Sequence, residues 1–194
     1  MDRTTLDVYD SSAQAFVTRW LSEQAPSDMY ELFRRFFRPG LTAEIGSGSG
    51  RDAAWLTANG FPTVGFDVSQ GLLAQARARF PHIEFRYAVL PELSGVPARH
   101  FDNVCCETVL MHLPREEITP AVTRMLEILK PDGAIYMSYR VTEHADRREK
   151  DGRLFSAHVG DEVRKALTGQ TILYEQKIVR AKGDLERLVA RRDS

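Results

Sequence analysis

Cysteine is scarce in this chain. Two residues, Cys105 and Cys106, stand side by side among 194, so a disulfide framework is excluded. They read as small hydrophobes in a buried strand. Neither sign of charge dominates. The 26 Lys and Arg nearly balance 27 Asp and Glu, which argues against an overall basic nucleic-acid footprint. Long apolar runs are missing as well: none approaches the roughly 18 residues of a membrane span. The opening MDRTTLDVYDSS has no basic segment leading into an apolar one, so no signal peptide is expected. These absences together point to a cytoplasmic chain without membrane attachment. No His/Cys/Asp cluster has metal-ligand spacing, and no metal is expected. What the chain does have is 43% hydrophobic residues, enough for a sizeable core, in a length that suits one domain.

Helix-like and strand-like stretches alternate along it. Residues 12–24 place Ala13, Phe16, Val17, Trp20 and Leu21 at spacings of three and four, an amphipathic helix. Ser27 can cap a second helix that stops at Pro39-Gly40. Leu41 to Ile45 reads as a first strand and PTVGFDV as a second. Between them lies the helix RDAAWLTANG. Ser69 caps a helix that Pro81 ends. IEFRYAVL and FDNVCCETVL read as the third and fourth strands. Thr119 and Pro120 suit the N-cap and first turn of AVTRMLEILK. Pro131-Asp132-Gly133 turns into a fifth strand, AIYMSYRV. TEHADRREKDGR reads as a solvated loop, and Asp161 as the cap of EVRKALTG. TILYEQKIV is a sixth strand. LERLVARR suits either a strand or a helix, and a strand is favoured. This alternation implies an α/β fold with a parallel sheet covered on both faces. Right-handed crossovers then gather the strand-to-helix loops at one edge, where ligands bind.

EIGSGSG, residues 44–50, falls between the first strand and the helix that follows. Glycine costs roughly 0.5–1 kcal/mol relative to alanine where it is not needed. Gly46, Gly48 and Gly50 therefore suggest a tight turn or a close backbone approach to a ligand. Asp67 ends the neighbouring second strand, where a carboxylate can accept both hydroxyl hydrogens of a ribose. The dinucleotide fingerprint G-x-G-x-x-G fails, because Arg51 occupies its sixth position, and no P-loop pattern occurs.

With LTAEIGSGSG, VGFDVS, FDNVCCETVLMHL and LKPDGAIYMS in this order, residues 40 to 140 resemble the class I S-adenosylmethionine-dependent methyltransferases. GRDAAWLTANGF is also similar to the tellurite- and thiopurine-type branch. The resemblance implies a three-layer Rossmann-like sandwich whose seven-stranded, mostly parallel sheet has an antiparallel last strand. It implies a helical lid over residues 1–40 and an S-adenosyl-L-methionine-binding domain over 41–194, folded as a single globular unit. By motif, Glu44 would hold the methionine amino group. Gly46, Ser47 and Gly48 would pass close to the amino-acid part, and Arg51 could bind its carboxylate. Asp67 would bind the ribose. Val68, Ala88 and Val89 would flank the adenine, and Cys106 and Glu107 would line the cofactor where the fourth strand ends.

For such chemistry His112 and Tyr9 are the candidate catalytic residues. His112 follows the fourth strand, where this fold meets its substrate, and could equally be a packing histidine. Tyr9 lies in a segment resembling one that closes over the cofactor in small methyltransferases. The loop of residues 141–158, bringing Leu154 and Phe155 to that edge, completes the expected cover. The Arg147-Arg148 pair, His144 and His158 read as surface residues. The fourth strand exits as Cys106-Glu107-Thr108-Val109 rather than [ND]-P-P-[YF], which argues against amino methylation of DNA bases or protein glutamine. A small-molecule methyl acceptor is the expectation, with no membrane and no nucleic acid as partner. The alternatives are an enzyme using the same cofactor for cyclisation or another alkyl transfer, a regulatory module that binds without turnover, and an RNA methyltransferase.

Overall fold

The computed structural model describes residues 1–142, 144–179 and 183–193. Glu143, in the charged stretch, lies outside the described residues. Three helices come first: α1 (Arg3–Ser11), α2 (Ala13–Ser22) and α3 (Ser27–Phe36). Next are β1 (Thr42–Ile45), α4 (Arg51–Ala58), β2 (Thr63–Asp67), α5 (Gln70–Arg79), β3 (Glu84–Tyr87) and β4 (Phe101–Glu107). Then follow α6 (Arg115–Ile128), β5 (Leu129–Arg140) and a two-stranded hairpin of β6 (Arg147–Arg148) and β7 (Leu154–Phe155). The chain closes with α7 (Val159–Ala166), β8 (Thr171–Ile178) and β9 (Leu185–Arg191).

The main sheet runs β3-β2-β1-β4-β5-β9-β8. The strands from β1 to β5 pair in parallel, and β9 is antiparallel to both of its neighbours. This is the α/β sandwich that the motif order implies. One face packs on α6 and α7 through Ile118, Val122, Met125 and Val163 against Ile45, Val104, Cys106 and Met137. The other carries α3 and α4, with Phe33, Tyr30 and Leu56 against Cys105, Tyr136 and Val189. The strand period of two explains how adjacent cysteines serve opposite layers. Helix α5 joins α4 around Phe85. Helices α1 and α2 stand apart from these layers and pack on α5 through Phe16, Val17 and Leu72.

Several element limits differ from expectation. The N-terminal region holds two helices, broken at Ser12. Asp2 caps α1 by accepting from the Thr5 amide. Helix α1 carries only Leu6, Val8 and Tyr9 as apolar residues among polar ones, and it is not among the helices assigned from the sequence. Helix α6 begins at Arg115, not at Thr119. Acidic Glu116 and Glu117 in its first turn suit the helix N-terminus. Pro120 therefore lies inside the helix; the carbonyl it leaves unpaired belongs to exposed Glu116, within reach of water. His158, in the left-handed region, precedes α7, where Asp161 was expected as the cap. The charged loop contains a hairpin with Arg147 paired to Phe155 and Arg148 to Leu154. Residues 185–191 form a strand, as favoured.

Phe33 is fully buried, with Tyr30, Phe37, Trp55 and Tyr136 rings around it. F33A is expected to lower stability by about 3–5 kcal/mol, as large cavities do, measured by urea unfolding.

Candidate functional site

A cleft of about 320 Å³ opens at the carboxyl ends of β1, β2 and β4, under α1 and α2. Its floor is the turn after β1. Gly46 has φ 76°, and a Cβ there would fall 2.2 Å from a Val109 methyl carbon. Gly48 has φ 51°, and a Cβ would press on the Trp20 ring at 3.2 Å. Both positions thus exclude a side chain by backbone and by space. The Gly46 and Ser47 amides donate to the Phe66 carbonyl, at 2.7 and 3.0 Å, so the turn after β1 is pinned to β2.

Glu44, Asp67 and Glu107 are among the carboxylates that line this cleft. Glu44 is 3% exposed, and its Oε2 has no hydrogen-bond partner among the described residues. Burial holds its carboxyl well above the usual range, with Asp52 and Asp67 adding to the effect. The Ser47 hydroxyl, also at the cleft, is likewise without a partner among the described residues. Buried polar atoms of this kind are normally satisfied, and both could accept a hydrogen bond from a polar group in the cleft. Asp67 accepts from the Gly48 amide at 2.8 Å and from the Ser69 amide at 2.9 Å. Burial raises its carboxyl, and those amides pull it back. Glu107 accepts at Oε2 from the Tyr136 and Ser138 hydroxyls, at 2.7 and 2.5 Å, and burial raises it too.

The remaining expected residues divide. Val68 and Ala88 line the cleft with Leu72 and Leu90, giving an apolar side. The Ala88 amide donates to the Asp67 carbonyl at 3.1 Å, which holds the exits of β2 and β3 together. Val89 does not line the cleft; Leu90 takes its place, because the chain turns after β3. Cys106 does not line it either. The pleat of β4 turns it into the core beside Val104 and Met137. Arg51 does line the cleft, with its guanidinium already engaged. Nε and Nη2 grip the Asp52 carboxylate at 2.9 and 3.2 Å, and Nη1 donates to the Trp20 carbonyl at 3.1 Å.

Tyr9 and His112, 103 residues apart in the chain, meet at 3.0 Å between Oη and Nε2. His112 Nδ1 lies 2.6 Å from the Leu154 carbonyl oxygen. A carbonyl can only accept, so Nδ1 carries the hydrogen and Nε2 is the acceptor. The Tyr9 hydroxyl then donates to Nε2, and Arg153 Nη1 donates to Tyr9 Oη at 3.1 Å. Burial pushes the imidazole down to about 4, so it is neutral near pH 7. Burial raises the Tyr9 phenol, and Arg153 opposes that rise.

Sequence reasoning missed four contributors. Asp10 accepts from the Ser69 hydroxyl at 2.6 Å and the Gly71 amide at 3.0 Å, latching α1 to the N-terminus of α5. Trp20 was visible only as part of an amphipathic stripe. Asp52, which also accepts from the Tyr30 hydroxyl at 2.6 Å, sits unmarked in a helix. Arg153 ended a charged run that reads as solvent-facing. Nothing in local spacing distinguishes these four from ordinary helix and loop residues.

His112 should leave a signature in stability against pH. Its folded pKa lies below the ordinary histidine value of 6.5, so the unfolded chain binds the extra proton first. Stability is present above that ordinary value and is lost as pH falls from there toward about 4. Urea unfolding across this window should show a downward slope that H112Q lacks.

Comparison with known proteins agrees with this architecture. Residues 43–133 match a family model described as a methyltransferase domain. Over 142 residues the chain is 28% identical to a protein named as a methyltransferase in Geobacillus sp. (strain WCH70), covering 68% of this chain and 58% of that relative. The chain thus spans little more than half the length of that relative. Among solved structures, the Burkholderia thailandensis 1,6-didemethyltoxoflavin-N1-methyltransferase superposes with a TM-score of 0.76 at 20% identity. The alignment covers 98% of this chain and 88% of that one. A 4+2 cyclase superposes at 0.70 and 16% identity, covering 86% and 80%. These structural likenesses speak for the fold alone. Motif order, sheet topology and the family-model match over residues 43–133 agree in making this chain similar to the class I S-adenosylmethionine-dependent methyltransferases.

Proposed function

We propose that the chain binds S-adenosyl-L-methionine in this cleft and transfers its methyl group to a small-molecule acceptor by in-line displacement. The observation that carries the reading is the unpartnered Oε2 of Glu44, buried beside the glycine floor. A cationic amino group is the partner such an atom lacks. Gly46, Ser47 and Gly48 would leave room for the amino-acid part, with Arg51 near its carboxylate. Asp67 would take ribose hydroxyls, and Val68, Ala88, Leu72 and Leu90 would face the adenine. When bound, the cofactor supplies a methyl group already activated on a sulfonium.

The protein's share is orientation, dryness and a proton acceptor. Holding two reactants in line can supply up to ~7–11 kcal/mol. Helices α1 and α2 form the cover, through Leu6, Tyr9 and Trp20 over the cleft. His112 Nε2 is the base, and a positioned base typically contributes ~10²–10⁴-fold. The acceptor's O–H or N–H takes the place on Nε2 that the Tyr9 hydroxyl now fills. A buried imidazole that resists protonation is a weak base. The reading therefore favours an acceptor with an acidic proton, such as a phenol, an enol or a ring N–H. The Burkholderia enzyme of like fold acts on a small molecule, 1,6-didemethyltoxoflavin.

Three measurements test this. Incubation with the cofactor and a metabolite extract, read by mass spectrometry, should release S-adenosylhomocysteine. Methylthioadenosine would indicate another alkyl transfer, and no product at all would indicate a binding module. D67A should weaken cofactor binding by calorimetry, since a half-made buried polar pair costs ~1–3 kcal/mol; parental affinity would refute the ribose role. Deleting residues 1–25 should abolish turnover and weaken cofactor binding. Full activity in that truncation would refute the cover.

A further inference from the structure

The least expected side chain near the cleft is Arg153. It sits at the end of the β6–β7 hairpin, and its guanidinium lies over three rings: Tyr9 at 5.4 Å, Phe16 at 5.1 Å and Phe155 at 5.9 Å. Nε is held by Asp151 Oδ2 at 2.8 Å. Nη1 donates to Tyr9 Oη. A guanidinium so enclosed cannot turn freely, and its direction is set by a carboxylate behind and a phenol in front. The next residue, Leu154, supplies the carbonyl that orients the opposite side of His112. Its amide in turn donates to the Thr5 hydroxyl at 2.9 Å, back onto α1. Phe155 packs edge-on to the imidazole at 4.9 Å between centroids. Three consecutive residues of one hairpin thus fix both ends of the Tyr9–His112 pair.

The direction of the hydrogen bonds follows from donor count alone. Arginine has no acceptor, so Tyr9 must offer a lone pair to it and turn its own proton elsewhere. His112 Nε2 is the acceptor waiting there. We propose that Arg153 is a positioning residue: by donating to Tyr9 Oη it turns the Tyr9 proton onto His112 Nε2 and so fixes which way that hydrogen bond runs. This rests on the methyl-transfer reading of the cleft, in which His112 is the base. The charged groups that face His112 are Arg153 and Asp151 from the hairpin and Arg140 from the end of β5, with the Tyr9 phenol from α1. Desolvation is the largest influence on the ring; Arg153 and Arg140 push the same way, and Asp151 opposes them.

The test is a ¹⁵N-histidine NMR titration of the full chain, with the His112 resonance assigned by its loss in H112Q. The probes are R153M, which removes charge and donors, and R153K, which keeps the charge. R153M should move the His112 midpoint up from that of the parent, and R153K should leave it near that of the parent. An unchanged midpoint in R153M would overturn the proposal. So would a midpoint in R153K that shifts as far as in R153M, since a packing role alone predicts that. If R153M does not fold, the position of the R153K midpoint decides alone: near the parent supports the proposal, raised overturns it. Binding of S-adenosylhomocysteine by calorimetry is followed in parallel and should be retained in both variants. Its absence in the parent protein would count against the methyl-transfer reading, whereas a stationary His112 midpoint with binding intact counts against Arg153.

Discussion

One hydrogen bond organises the cleft: the Gly48 amide to the Asp67 carboxylate, 2.8 Å long. It ties the turn after β1 to the end of β2, and a parallel sheet brings those two points side by side. For the amide to reach the carboxylate, the chain must pass through positive φ at Gly46 and Gly48, with no side chain between floor and Trp20. Asp67 is buried by the same arrangement, which is why its charge must be met by backbone amides. Glu44 lies one step back on β1, paired in register with Gly65 and Cys105. It is buried by the same sheet and is met by nothing at Oε2. On one floor, then, one carboxylate is met by backbone amides and the other keeps an open oxygen among the described residues.

Above that floor the N-terminal helices are held at several independent points. Asp10 closes on the N-terminus of α5, Arg51 holds the Trp20 carbonyl, and Thr5 and Asp2 tie α1 to the hairpin through Leu154 and Arg148. In this attachment charged and polar contacts surround a small apolar cluster. Helix α3, by contrast, is part of the sandwich, with Phe33 and Tyr30 packed on the sheet. The two kinds of packing differ in what separation would expose. Lifting α1 and α2 uncovers mainly the small cluster around Phe16 and Leu72, whereas lifting α3 would open the main core.

At the exit of β4, burial acts on an acid and on a base in opposite senses. Glu107 is bound from below by two hydroxyls, and burial favours its neutral form. His112 is kept neutral by the same lack of water, acting in the opposite direction on a base. Thr108 between them adopts φ 55°, a conformation uncommon outside glycine, and strain of this kind gathers where a backbone is forced around a site.

The linear chain was sufficient to reveal the sandwich, the glycine floor and the carboxylates Glu44 and Asp67. Those features are local or periodic. A glycine cluster between strand and helix, an acid closing the next strand and alternating apolar runs all announce themselves within a few residues. His112 and Tyr9 could be named as candidates, yet their meeting could not be read from spacing, since 103 positions separate them. Cys106 and Val89 were assigned to the cleft by motif position, and the pleat of β4 and the turn after β3 moved them out. Asp10, Asp52 and Arg153 gave no local sign at all. Which side chains converge depends on where helices α1 and α2 and the β6–β7 hairpin dock. Docking is decided by long-range packing and paired charges, and these exist only once the sheet has formed.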